Sequence, residues 1–526
     1  MKYYGLKHKE NSEKNLYFYA RSRAKVLSIL PGKKRKYRKE NYKMVFGDAY
    51  DWHKDDNSLP QGNFLDLYSV VVADMIRRED IKKLQKGIRY LLKKRRSNRF
   101  IAVHHEGLDE ICKRIDHMDS TLLFWYNIVD CGLFEFKNHL LENSIDYFSV
   151  RICNVNSGYL SLEFNLHLTQ HKAKELNKLI SCNYKDKRGY VFQTLTGKAN
   201  KTGAYKNYTV THYNNDFLKA DKIYEFISNI EWDFLQELSN CFPFVLHNRG
   251  IMPPRIEIYR TDMDYHDDNR YFWDSMGIHD YQGQFIDERH KMFFENQMSG
   301  RYGEVWTNNR LIYIFKDDEI EIGQLKSIKD KVYFHLKNYA NQYFKFLFLD
   351  ILSREAGKTL IAYKHKLDKI KLKKKHLKEL LKLKYNLSVE IDDYNRYRRD
   401  DIWTKAKNKI SEVYKYSDKI AEQSLNPFFV SHHDFCDGAV SKSKKIDDDI
   451  EIVLTEFEEK KNVLQNLFDY NNTSRNNYLN IVMMIISAVT LFFVIFPEKA
   501  SDISIIIMEM FNFIKRNVEK LWQLIF

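Results

Sequence analysis

The chain has 526 residues, with 85 Lys and Arg against 71 Asp and Glu, for a formal net charge of +14. Hydrophobic residues make up 44%, and 7 Pro with 19 Gly exclude a collagen-like or linker-dominated chain. The six Cys are scattered without a CxxC pair, which argues against a disulfide scaffold or a zinc ribbon and suits a reducing compartment. The opening MKYYGLKHKENSEK has no apolar core, so no cleaved secretory signal is expected.

Residues 1–98 read as a basic, mostly helical region. Lys33, Lys34, Arg35, Lys36, Arg38 and Lys39 form one cluster, and a second runs from Lys82 to Arg99. In the second, Leu84, Ile88, Leu91 and Leu92 keep helical spacing, so one face packs while the other stays charged. Such a face is either plain solvation or an anion-attracting surface.

From residue 99 to about 350 the texture is that of an α+β domain with the place of a sensor. Short β-prone runs appear at 99–105, 148–155, 159–168, 190–195, 208–213, 243–248, 254–260, 311–315 and 331–336. YLSLEFNLHL (159–168) is the clearest, alternating apolar with polar as a strand with one covered face does. A helix is expected over 216–240.

Residues 351–476 read as a helical stalk. Leu360, Tyr363, Leu367, Ile370, Leu377 and Leu381 follow 3,4 spacing, and a second helix is expected over 396–425. Ile446, Ile450, Val453, Phe457, Leu464 and Leu467 repeat the pattern in a helix that runs on toward the C-terminus.

Residues 477–526 read as a transmembrane hairpin. Tyr478 to Phe496 carry no charge, and as a helix span about 28 Å, close to the bilayer core. Pro497 closes that run, and Ile503 to Ile514 supply a second, broken by Glu509. Arg475 on one side and Lys515, Arg516 and Lys520 on the other place both termini in the cytoplasm of a multi-pass inner-membrane protein. On the first span Asn476, Asn480, Ser487 and Thr490 share an arc with Met483 and Val494. Polar groups avoid lipid, so Asn480, Met483, Ser487, Thr490 and Val494 are the candidate pore-lining residues of a ring of copies, or a helix–helix contact.

Catalytic motifs are sparse: no phosphate-cradling loop, HExxH or GxSxG is present, and no enzyme and no cofactor are expected. Asp262, Asp264, His266, Asp267, Asp268, His279 and Asp280 have the chemistry of metal ligands, as do His432, His433, Asp434, Cys436 and Asp437, but neither spacing matches a known loop. His104 and His105 read as a strand-end turn. No metal site is expected.

The segment LQNLFDYNNTSRNNYLNIVMMIISAVTLFFVIFP, ending a long helix, resembles the CorA-type divalent-cation channels. Where that family has Gly-Met-Asn after the first span, this chain reads Phe496-Pro497-Glu498-Lys499. A divergent CorA-like branch that acts as a membrane effector of type III CRISPR systems is similar in lacking the motif and in its enlarged cytosolic domain. The resemblance implies a ligand-gated homo-oligomeric channel, opened by an anionic nucleotide second messenger of the S-adenosylmethionine–AMP type. Its partners would be copies of itself, the lipid bilayer and that nucleotide, with no stable nucleic-acid partner. A membrane-anchored protein binding nucleic acid or anionic lipid is the alternative, and a membrane-tethered enzyme using the 262–280 residues a third.

Overall fold

The computed structural model describes residues 56–92, 100–104, 107–118, 128–137, 139–184, 187–192, 208–213, 215–263, 270–277, 283–287, 292–295, 310–316, 340–373, 376–399 and 432–495, with a few isolated positions besides. The chain forms two compact units, one of residues 1–355 and 392–446, the other of 356–391 and 447–526.

The first unit is built on a nine-stranded sheet. In chain order its strands are β1 (Leu65–Arg77), β2 (Phe100–His104), β3 (Ile128–Phe136), β4 (Ile145–Asn154), β5 (Tyr159–Leu168), β8 (Arg255–Thr261), β9 (Gly283–Asp287), β10 (Met292–Glu295) and β11 (Arg310–Lys316). The spatial order is β2-β3-β4-β5-β1-β8-β11-β10-β9. All pairs are antiparallel except β8 with β11, which run parallel. A separate hairpin pairs β6 (Lys187–Phe192) with β7 (Tyr208–Tyr213). The helices of this part are α1 (Ile81–Leu92), α2 (Leu108–His117), α3 (Gln170–Ser181), α4 (Asn215–Leu238) and α5 (Arg270–Met276).

Period-two alternation decides which side chains enter the core. Val70, Val72 and Ile76 of β1 point to one face, with Leu160, Leu162, Phe164 and Leu166 of β5 and Phe148, Val150 and Ile152 of β4. Leu84, Ile88 and Leu91 of α1, Ile111 and Ile115 of α2, Leu176 and Ile180 of α3, and Ile223, Ile227 and Phe234 of α4 close over them. Each such side chain stabilises the fold by about 1.5–3 kcal/mol. The helical spacing of Leu84, Ile88, Leu91 and Leu92 is therefore the packed face of α1, as the sequence suggests, while Lys33–Lys39 and residues 93–99 lie outside the described residues.

Four further helices follow: α6 (Asn341–Lys369), α7 (Leu377–Glu390), α8 (Asp392–Arg398) and α9 (His432–Ile495). In the second unit Leu360, Tyr363 and Leu367 of α6, Leu380 and Leu387 of α7, and Ile450, Val453, Phe457 and Leu464 of α9 are buried. Ion pairs Lys364–Glu456 (3.1 Å) and Lys384–Glu458 join α9 to α6 and α7.

The expected fold class holds in its α+β part and fails in its membrane part. Among the described residues no helix is long and apolar enough to cross a membrane. The described apolar stretch of α9 follows Arg475, Asn476 and Asn477 directly and is interrupted by Asn480, Ser487 and Thr490, while 501–514, apart from Asn512, lies outside the described residues. This overturns the C-terminal transmembrane hairpin and, with it, the multi-pass inner-membrane placement.

Candidate functional site

The second face of the sheet holds the candidate site. The polar half of β5's alternation, Ser161, Glu163, Asn165 and His167, lies opposite the residues that enter the core. Cross-strand pairing sets Cys153 beside Ser161, Arg151 beside Glu163, Ser149 beside Asn165 and Tyr147 beside His167. On the other side, β1 sets Met75 beside Ser161, Ala73 beside Glu163 and Val71 beside Asn165. A polar strip thus runs down the centre of the sheet, bounded by small apolar side chains.

This strip is not a solvated face. Ser161 and Glu163 are each only 2% exposed, and Ser69 is fully buried. Ser69 Oγ, Ser161 Oγ, Glu163 Oε1 and Asn165 Oδ1 are buried without a hydrogen bond. Such atoms cost about 1–3 kcal/mol each when left unpaired, so their concentration on one face calls for a partner. Burial pushes the Glu163 carboxyl above its usual range, opposed by Arg151 and Lys345 and by the nearby Cys153 and Ser161. Arg151 Nη1 stands 4.0 Å from Glu163 Oε2, an ion pair too long for a hydrogen bond. Burial likewise raises the Cys153 thiol, so it is no nucleophile at neutral pH.

Aromatic rings gather at one end. Tyr147 stacks on His167 with centroids 4.2 Å apart and planes 17° apart. Tyr68, at the bulge between Leu67 and Ser69, meets His167 edge-on at 5.3 Å and Phe315 at 5.8 Å. Tyr68, Tyr147, His167 and Tyr313 are half-buried, so this end of the strip is open where the Ser161 end is closed. The Asn165 amide is 3.3 Å from His167 Nε2.

Two other charged clusters are held by their own partners. On the core face of the sheet, under α4, Arg255 and Arg310 meet Glu231 and Glu257, with Ser228, Tyr224 and Tyr259 around them. A small cavity lined by Val70, Leu166, Leu168, Ile227, Ile230 and Glu231 adjoins it. At the far end of β1 and β5, Arg77, Arg249 and Tyr159 converge on Asp393.

The residues singled out in the sequence fall elsewhere. Asn480, Met483, Ser487, Thr490 and Val494 all lie on α9 and are exposed, and Thr490 Oγ1 donates to Ile486 O at 2.8 Å within its own helix. Leu479, Ile481, Met484, Ile486 and Leu491 on other sides of α9 are exposed as well, so burial does not single out the polar stripe. Asp262 accepts from Phe64 N at 2.9 Å as a strand-end cap, whereas Asp264, His266, Asp267, Asp268, His279 and Asp280 lie outside the described residues. Cys436 is buried and Asp437 exposed; the side chains of His432, His433, Asp434 and His104, and all of His105, lie outside the described residues. Among the described residues no group of three or more His, Cys, Asp or Glu could hold a metal ion.

The strip escaped sequence reading because its polar positions look like an ordinary solvent face. The available signal was repetition: β4 carries Ser149, Arg151 and Cys153 on the same alternation as Ser161, Glu163 and Asn165 of β5. No protein-family model, curated protein or solved structure matches this chain, so the resemblance to CorA-type channels rests on sequence texture alone.

Proposed function

We propose that the protein is a ligand-binding sensor whose sheet unit takes a nucleoside-class ligand with negative charge along the β4–β5–β1 strip. The observation that carries this reading is the set of four buried, unpaired oxygens beside a half-open aromatic row. Unpaired carboxylate and amide oxygens want donors, which an exocyclic amine and ribose hydroxyls supply. The rings of Tyr147, His167 and Tyr68 offer a π-face on which a base stacks, worth about 1–3 kcal/mol. At about 3.3 Å per residue, Glu163 lies about 13 Å along β5 from His167, within the reach of a base and its attached phosphates. Arg151 and Lys345 supply the positive charge there.

A sensing role suits this arrangement better than catalysis. Glu163 is buried among Ser161, Cys153 and Arg151, with no nucleophile–base pair in view. The expected channel needs a membrane span, which the described residues lack, and that part of the expectation is dropped here.

The test is calorimetric binding of AMP, with adenosine for comparison, to the full chain. Tyr147→Ala and Asn165→Ala should each weaken AMP binding by about tenfold or more, while Tyr385→Ala, exposed in the second unit, leaves it unchanged. Equal affinity in all three variants, or no AMP binding at millimolar concentration, sinks the reading.

A further inference from the structure

We propose that Arg77, Arg249 and Tyr159 form a phosphate-binding site that the chain keeps shut with its own Asp393 carboxylate. The geometry is that of a recognition site with a carboxylate in it. Arg77 Nε donates to Asp393 Oδ1 at 2.8 Å and Nη2 to Oδ2 at 2.9 Å, a parallel fork. Tyr159 OH donates to Oδ1 at 2.6 Å, and Arg249 reaches Oδ2 from another direction. Asp393 is completely buried, while the side chains of Arg77 and Arg249 are 32% and 33% exposed. The two guanidiniums therefore hold one carboxylate on their inner side and face solvent on their outer side.

The number of donors favours a larger anion. Arg77, Arg249 and Tyr159 all converge on one carboxylate, while the charges around it balance, Arg77, Arg249 and Arg396 against Asp393, Glu79 and Asp392. Arg77 Nη1 is also 3.7 Å from Glu79, but Glu79 and Asp392 both pair with Arg396, at 3.1 and 2.6 Å. A phosphate carries more charge than Asp393 and more acceptor oxygens for the same donors. Burial alone would push the Asp393 carboxyl up, yet the Arg77 and Tyr159 hydrogen bonds and the Arg249 charge outweigh it and hold it below its usual range. Asp393 is thus an ionised occupant, not a neutral spacer.

The frame of the site is preformed, and its occupant is tethered. The Val245–His247 turn that leads to Arg249 is pinned by Asp74, whose carboxylate accepts from Val245, Leu246 and His247 N at 3.2, 2.9 and 2.8 Å. Gly250 leaves that turn at φ +73°, where a side chain would be strained. Asp393 belongs to the short α8, which is also docked by Asn156 to Tyr397 O (3.1 Å), Tyr397 OH to Lys345 O (2.9 Å), Tyr394 OH to Ser443 O (2.8 Å) and the buried Tyr394 and Tyr397 rings. A phosphate that takes the two arginines displaces Asp393 and unseats α8.

This goes beyond nucleoside binding at the aromatic end of the strip and is read separately, because Tyr147 touches none of these groups and Tyr147→Ala should leave pyrophosphate binding unchanged. The experiment uses the full chain and sodium pyrophosphate, against sodium chloride of equal ionic strength. Removing the internal competitor raises the competent fraction, so Asp393→Asn should bind pyrophosphate about tenfold or more tighter than the native chain. Adding Arg249→Gln to that variant should abolish the gain. In the native chain, pyrophosphate should speed amide hydrogen exchange across residues 392–398. No gain in Asp393→Asn, or a gain that survives Arg249→Gln, overturns the proposal. Should Asp393→Asn fail to fold, unchanged exchange at 392–398 in the native chain with saturating pyrophosphate overturns it equally.

Discussion

Arg255 Nη1 donates to Glu231 Oε2 at 2.9 Å between strand β8 and helix α4, with neither side chain more than 2% exposed. The same guanidinium donates through Nε to Glu257 at 2.7 Å and lies 4.3 Å from the Tyr224 ring centroid. Arg310 Nη1 lies 3.4 Å from Glu257, so two cations and two carboxylates balance inside the sheet unit.

Such a network costs little while complete and much when broken. Arg255→Met should destabilise the sheet unit by about 3–5 kcal/mol, because Glu231 and Glu257 lose a buried counter-charge. Urea denaturation measures this. Combining Arg255→Met with Glu231→Leu should recover part of the loss. A change under about 1 kcal/mol in the single variant would show the network to be dispensable.

Asp221 on α4 gives a pH dependence with a definite sign. Burial, with a smaller push from Glu225, raises its carboxyl from 3.8 to about 6. The folded protein therefore holds this proton more tightly than the unfolded chain. Stability from this group is complete below pH 3.8 and is lost as pH rises through about 6. Asp221→Asn should leave stability unchanged at pH 3.5 and raise it by about 1–2 kcal/mol at pH 8. Thermal melts at the two pH values check it, and an equal gain at both would refute the titration argument.

Helix α9 predicts self-association. Val463, Leu467, Tyr470, Ser474, Asn477, Ile481, Met484, Ala488 and Leu491 recur at alternating steps of four and three, and all are exposed. That is the spacing of a coiled-coil seam, with Leu467, Ser474, Ile481 and Ala488 at a and Val463, Tyr470, Asn477, Met484 and Leu491 at d. The chain should therefore associate with itself in a concentration-dependent way. Ile481→Glu with Met484→Glu should reduce it to monomer, and Asn477→Leu, which puts Leu at a d position, should strengthen the assembly. Sedimentation equilibrium decides, and a native chain that stays monomeric at every loading removes the seam.

Strands that alternate apolar with polar residues were legible in the sequence. YLSLEFNLHL and YTVTHY match β5 and β7 residue for residue; in β5 the apolar half enters the core and the polar half takes the second face, so the period of two persists although both faces are covered. β1 was not legible: Val70 to Ile76 are buried on both faces, which erases the alternation and leaves a run that a helix could equally wear. β3 was hidden by Gly132, whose φ of +110° marks the bulge between Asp130 and Gly132. PFVLHN reads as a strand, but its apolar residues lead into the turn that Asp74 pins. The stalk reads as one helix through Leu381, yet it breaks between α6, which ends at Lys369, and α7, which begins at Leu377.

The candidate sites were less legible than the strands, for a geometric reason. Arg151 and Glu163 become neighbours only through the register of β4 on β5, and Arg77 and Asp393 are 316 residues apart in the chain. No local pattern encodes either meeting.

The position of β1 has a consequence for how the chain comes into being. It precedes every other described strand yet sits at the middle of the nine-stranded order, paired to β5 on one edge and β8 on the other. At ribosomal speeds of about 5–20 residues per second, β8 follows β1 by roughly 10–40 s. For that interval the nascent chain displays Val70, Val71 and Val72 with an edge unfilled. Closing the sheet then requires a long-range search, the slowest kind of pairing. The sheet unit is thus a late-maturing body, and the stretch from Leu65 to Arg77 is the part of it that waits longest with an edge unpaired.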